Sequence, residues 1–301
     1  MSWIESLQMP GPLKQSVDSI IRDHQARGRY FTVGGLKSFL IEEGEGEPVV
    51  CIHGVPASSF LYRKVISELA NNGMRGLAFD LPGLGLADRP DQFDYRWSSL
   101  SRFCRDATTE LGLSKFHLVV HDIGGPIGLM LAANHPDKIA SLTILNTFVD
   151  AHTFRPPWMM APFRWPIAGA AWLFFMNRWL LYLLFRYTGI QSFAGIHRQE
   201  IYAYVSLLKR NDHGSAFLKI MRSFELTSRV TELCHRAITA RDYPIQILWG
   251  QNDHALDVRK HGKRIADLAA VPCTNLAGKH FLQEDNAPAI AAAIARLAGQ
   301  A

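Results

Sequence analysis

Short, continuously apolar runs alternate with amphipathic stretches along most of this chain. Residues 48–52, 75–79, 116–120, 140–145 and 244–249 are dominated by apolar residues, as expected of strands buried on both faces of a parallel sheet. A shorter run at 273–276 completes the series. Two earlier runs, 30–33 and 36–42, flank Gly34-Gly35 and read as a hairpin. Helical stretches fall between the strands, ending near Ala70 and covering about 98–111 and 127–133. A terminal helix over 288–297 opens on Pro288, where a missing N–H costs nothing. Strands alternating with helices predict a mainly parallel central sheet flanked by helices.

Between Asn146 and Asp242 the alternation stops. The stretch is helical in pattern, heavy in Trp, Phe and Leu, and too long for a loop in a compact domain. It reads as an inserted helical cap over residues 150–232. The core then comprises 30–149 and 233–301, preceded by an N-terminal helical arm over 1–29. Ligands of such sheets bind at the carboxyl ends of the strands, so the cap would roof the site.

Composition narrows the setting. With 48% hydrophobic residues in 301, a large core is available. Cys51, Cys104, Cys234 and Cys273 have neither metal nor disulfide spacing, and the first 28 residues lack the apolar block of a signal peptide. A cytoplasmic location is expected. The net charge of +5 comes with no nucleic-acid signature. Two apolar runs, 167–176 and 179–185, are each shorter than the ~20 residues needed to cross a bilayer, and Arg178 between them would cost ~3 kcal/mol there. Residues 151–231 carry ten Lys/Arg against three Asp/Glu. This basic, aromatic-rich cap is expected to line a hydrophobic tunnel; contact with an anionic membrane or another subunit is the other use such a surface has.

The chemistry centres on His121-Asp-Ile-Gly-Gly-Pro-Ile-Gly128, which follows the 116–120 strand and opens a helix. A sharp strand-to-helix turn with small residues around its tip is a nucleophile elbow, a turn that usually carries Ser in G-x-S-x-G. No G-x-S-x-G occurs in this chain, and the tip residue is Asp122. An Asp could serve merely as a helix cap. As a nucleophile it would instead attack carbon and form an ester, which water hydrolyses with the help of a base. His280, just beyond the last strand, and Asp253, beyond the preceding one, supply base and orienting acid in the expected chain order. Asp257 and Asp150 are lesser candidates for the acid. His53-Gly-Val-Pro56 ends the 48–52 strand, so the backbone N–H groups of Val55 and Ile123 are the expected oxyanion hole or leaving-group stabiliser.

These features resemble the aspartate-nucleophile branch of the α/β-hydrolase superfamily, which holds haloalkane dehalogenases, fluoroacetate dehalogenases and epoxide hydrolases. The resemblance covers roughly residues 30–300 and rests on residues 53–56, 80–90, 120–125 and 280–285. Ser58-Ser-Phe-Leu-Tyr-Arg63 and His280-Phe-Leu-Gln-Glu-Asp285 are most like the haloalkane dehalogenase subgroup. It implies the α/β-hydrolase fold with an inserted helical cap, Asp122 as nucleophile, His280 as base, Asp253 as its partner and an apolar small-molecule substrate. It implies no metal and no organic cofactor.

Two positions depart from the dehalogenase pattern. Such enzymes usually hold the halide with a Trp after the nucleophile and an Asn in the H-G-x-P slot or a Trp in the cap. Here those positions are Ile123 and Val55, whose side chains donate nothing. Trp158, Trp165, Trp172 or Trp179 in the cap could substitute. Epoxide opening is the alternative and needs a cap acid, for which Tyr182, Tyr187, Tyr202 and Tyr204 are the candidates. A non-catalytic hydrolase-fold binding protein is the minor alternative.

Overall fold

The computed structural model describes residues 15–175, 178–192 and 195–300. The first described element is α1 (Val17–Ala26), residues 1–14 of the expected N-terminal arm lying outside the described residues; its first turn is capped by the Ser16 hydroxyl accepting from the Ser19 N–H. The hairpin β1 (Gly28–Val33) and β2 (Leu36–Glu43) follows, then β3 (Pro48–Ile52), α2 (Arg63–Asn71), β4 (Arg75–Phe79) and α3 (Trp97–Glu110). Next come β5 (Phe116–Asp122), α4 (Gly124–Asn134) and β6 (Ile139–Thr147). The cap contributes α5 (Pro166–Phe175), α6 (Arg178–Leu184), α7 (Arg198–Leu208) and α8 (Ser215–Arg222). The chain closes with α9 (Ser228–Thr239), β7 (Ile245–Gly250), α10 (Lys263–Ala269), β8 (Cys273–Leu276) and α11 (Leu282–Ala298).

The sheet has eight strands in the order β1-β2-β4-β3-β5-β6-β7-β8. Pairings of β1 with β2 and of β2 with β4 are antiparallel; the others are parallel. Residues Val49 to Cys51 and Leu118 to Val120 are completely buried, which explains why these strands are apolar throughout instead of alternating. Helices α2 and α11 pack together, while α3, α4, α9 and α10 pack in series, covering the sheet as two layers. Strand order reverses at β3, with β4 on one side and β5 on the other. A crevice therefore opens between the carboxyl ends of β3 and β5, as switch points in such sheets do.

Three details refine the sequence reading. The expected cap boundary at residues 232/233 falls inside α9, and that helix packs on α4 of the core. The terminal helix begins earlier than Pro288, at Leu282, but kinks at Asn286, so Pro288 sits in the first turn after the kink. Finally, α5 is apolar all round, with Gly169 and Leu173 buried and Ile167, Ala170, Ala171 and Phe174 exposed. Among the described residues, no helix is long and apolar enough to cross a membrane.

Candidate active site

The turn from β5 into α4 places Asp122 at the crevice. Its φ of 54° lies in the left-handed region, a conformation that costs a non-glycine residue about 1–3 kcal/mol and persists where the surroundings enforce it. A register shift between His121 and Asp122 re-aims the strand end. The Thr147 hydroxyl donates to the Asp122 carbonyl at 2.6 Å. Close approach of β3 requires Gly54, since a Cβ there would lie 2.2 Å from Asp122 Oδ1. The next helix takes Ile123 as its N-cap and has no side-chain cap, so capping does not account for the Asp122 carboxylate.

That carboxylate is held at both oxygens. Oδ1 accepts the Val55 N–H at 2.9 Å, and the nearby Ile123 N–H favours the charged form of the carboxylate. Oδ2 lies 3.5 Å from His280 Nε2. The two backbone donors are thus aimed at the aspartate itself. In an ester of Asp122 they would face the carbonyl oxygen that turns anionic when water attacks.

His280 is buried on the loop before α11 and is fixed from several sides. Its Nδ1 lies 2.9 Å from Asp253 Oδ2, which defines the tautomer. Asn146 Nδ2 donates to the same Asp253 oxygen at 2.6 Å, while Asp253 Oδ1 accepts the N–H groups of Ala255 and Leu256 at 2.7 and 2.9 Å. The His280 N–H donates to Thr188 O in the cap at 3.2 Å, and its carbonyl accepts from His121 Nε2 at 2.8 Å. His53 ties the β3 loop to its neighbour: Nδ1 donates to Gly54 O at 2.9 Å and Nε2 accepts the Leu81 N–H at 3.1 Å.

The electrostatics follow from this packing. Burial by itself would lower His280, but the charge of Asp253 and the hydrogen bonds to Asp122 and Asp253 outweigh it and push it up to about 10. Burial would raise Asp122, yet the hydrogen bond and charge of His280, with help from His121 and the Ile123 N–H, hold it below the ordinary carboxylate value. His121 is lowered to about 3 by burial and by the His280 charge beside it. It stands as a neutral donor to the His280 carbonyl.

Asp122 and His280 open into an apolar cavity walled by Phe154, Met160, Phe163, Leu184, Phe217, Leu256 and Phe281. Thr188 is its other polar lining residue, and its hydroxyl donates to Leu184 O at 2.9 Å. None of the eight cap aromatics expected near the reaction lines this cavity. Tyr204 is buried, but its hydroxyl donates to Glu284 Oε1 at 2.6 Å. Tyr182 and Tyr202 lie half-buried beside Arg198, and Tyr187 is exposed and stacked on His254. Trp172 Nε1 donates to Met159 O at 3.1 Å. Trp158, Trp165 and Trp179 face solvent. An aromatic-rich helical pattern shows that a helix packs, but not which ring faces a cavity formed later by tertiary contacts.

The lesser acids are also elsewhere. Asp150 pairs with His235 at 2.7 Å and Arg264 at 3.0 Å, and Asp257 pairs with Arg259. Sequence reasoning overlooked Asn146 and His121. Asn146 is the next-to-last residue of β6, so its place near a strand's carboxyl end was the available signal.

Comparison with known proteins agrees with this architecture. A sequence model of the alpha/beta hydrolase fold matches residues 47–287. A haloalkane dehalogenase of Mycobacterium marinum is 40% identical over 125 residues, 40% of this chain and 42% of that protein. A cis-3-alkyl-4-alkyloxetan-2-one decarboxylase of Shewanella oneidensis is 33% identical over 183 residues, 58% of this chain and 54% of that protein. The chain thus matches about half or less of the length of these two relatives. The crystal structure of the haloalkane dehalogenase of Bradyrhizobium elkani superposes with a TM-score of 0.73, covering 91% of this chain and 99% of that one at 22% identity, which is a likeness of fold.

Proposed function

Because the chain belongs to the alpha/beta hydrolase fold family, we propose that it cleaves an apolar, uncharged small molecule through an alkyl ester on Asp122, in the manner of a haloalkane dehalogenase. Asp122 Oδ2 attacks a saturated carbon and the leaving group departs with the bonding pair. Water then attacks the ester carbonyl, with His280 taking its proton, Asp253 holding the imidazolium, and the Val55 and Ile123 N–H groups stabilising the oxyanion on Oδ1. Collapse breaks the Cγ–Oδ2 bond, the alcohol leaves with the proton from His280, and the Asp122 carboxyl group is regenerated. The supporting observation is the aspartate itself, its Oδ1 bound by the Val55 N–H and its Oδ2 facing His280 at the floor of an apolar cavity.

The cavity also constrains the leaving group. Its described lining residues supply no Trp, Asn or Tyr to hold a departing anion, and one such donor is worth about 3 kcal/mol. Good intrinsic leaving groups are therefore favoured. An epoxide is disfavoured, because its basic alkoxide needs an acid and the cap tyrosines lie away from the cavity. Halide release and diol formation across matched iodo-, bromo- and chloroalkanes and an epoxide test this. Turnover should fall from iodide to bromide, with chloride and epoxide at least ~10² lower, the deficit expected for a missing donor. Equal turnover of chloroalkane or epoxide would overturn the leaving-group assignment.

The same lack of donors favours a second reading. A strained four-membered lactone opened at its alkyl carbon leaves as a carboxylate, a weak base that needs no proton. Loss of carbon dioxide could follow: the C–CO₂ pair forms an alkene as the ester C–O bond breaks and returns its pair to Asp122. The Shewanella relative's named activity gives this reading its support.

A further inference from the structure

The solvent face of the cap is made of the wrong residues for water. Trp158, Trp165, Ile167, Phe174, Phe175 and Trp179 are each at least 60% exposed. Helix α5 has no charged side chain, and its one polar group, the Trp172 N–H, is taken by Met159 O. It docks through Gly169, whose missing Cβ lets it approach the Phe163 backbone, together with the buried Leu173. Ile167, Ala170, Ala171 and Phe174, spaced i, i+3, i+4, i+7, are left as an outward apolar stripe. These side chains point out of the molecule, while Phe154, Phe163 and Phe217 of the same insertion line the cavity.

Charge distinguishes what covers this face. Residues 151–199 contain five Arg and no Asp or Glu. Arg155, Arg164, Arg186 and Arg198 of these are exposed. Paired with its own copy about a two-fold axis, the patch would set like charge against like. Exposed Trp and apolar side chains in a stretch whose exposed charges are all Arg instead match the interface of an anionic bilayer, where Trp rings sit at headgroup level and guanidinium groups meet phosphate.

We infer that the cap face built from Trp158, Trp165, Ile167, Phe174, Phe175 and Trp179 docks on an anionic lipid surface, lying in the interface without crossing it. Pro157, Met159, Met160 and Leu184, from the same stretch or just beyond it, line the cavity above Asp122. Apolar molecules dissolved in the bilayer would then enter without crossing water. The docking stands whatever chemistry Asp122 performs; only this delivery route rests on the proposed function.

The test is flotation of the full chain with vesicles of phosphatidylcholine alone or mixed with phosphatidylglycerol. Binding to the anionic vesicles at low salt is expected, with a blue shift of Trp emission and a loss of roughly tenfold as salt rises past the screening range. The triple variant Ile167→Ser/Phe174→Ser/Trp179→Ser should bind at least ~10-fold less while keeping its far-UV circular dichroism and its thermal midpoint, because its targets are surface groups. Arg155→Glu with Arg164→Glu should remove the preference for anionic over neutral vesicles. An unbound wild-type chain would overturn the inference. So would a lipid-free dimer that the triple variant converts to monomer, since a second copy would then cover the face.

Discussion

At the residue scale the central feature is a charge arrangement that changes during the proposed reaction. In the free protein, His280 is raised to about 10 chiefly by Asp253, with Asp122 adding to it against burial, so it is protonated at neutral pH. Esterification would remove the Asp122 charge and hydrogen bond. Burial would then be opposed by Asp253 alone, and the histidine would fall toward the range where it serves as a base. Two pH profiles follow. Alkylation, which needs ionised Asp122, should be flat through neutral pH and decline only below the ordinary carboxylate value, because that group is lowered. Ester hydrolysis should rise with pH through an inflection well below 10. Rapid-quench measurements on single turnovers separate the steps, and a hydrolysis inflection at 10 would contradict this coupling.

Among elements, the helix that follows the His280 loop is joined to the cap by a buried ionic cluster. Arg63 of α2 donates to Glu284 of α11 at 3.0 Å and to Glu200 of α7 at 2.7 Å. Lys64 and Tyr204 also reach Glu284, at 2.8 and 2.6 Å. Burial would raise Glu284, but Arg63 and Lys64 outweigh it and hold it below its usual value. Arg63→Leu should therefore destabilise the protein by about 3–5 kcal/mol by leaving Glu284 buried beside fewer cations, while Arg63→Leu/Glu284→Leu should cost less than the sum of its parts. The sign with pH is set by the lowered Glu284: its contribution is complete above the unfolded glutamate value of about 4.3 and is lost as pH falls through the folded one. Urea unfolding of wild type and Glu284→Gln should accordingly converge in acid. A gap that widens below pH ~4.3 would contradict the pairing.

On the scale of the whole molecule, the sheet and the strand-end residues that meet at the crevice were legible in the sequence for one reason. Parallel strands are buried on both faces, so they stand out as apolar runs, and the residues at their carboxyl ends are where such folds place ligands. Asp122 ends a strand, Asp253 and His280 follow theirs, and the three meet within hydrogen-bonding range or near it. The cap was less legible. Its helix α5 is apolar on every side, so no polar stripe marks the face that turns to solvent, and Trp165, Trp179 and Tyr204 could not be sorted into surface and interior. Pairings such as Asn146 with Asp253 join residues far apart in the chain, and local pattern carries no record of them.

The central claim is that Asp122 is alkylated. Intact-protein mass spectrometry of His280→Phe tests it most directly, with bromoalkane, terminal epoxide and lactone offered separately. Without its base the ester should accumulate, adding the alkyl mass without bromine, and the adduct should vanish in Asp122→Asn/His280→Phe. A folded His280→Phe protein that stays unmodified with all three compounds, or an adduct that survives the loss of Asp122, would contradict the account.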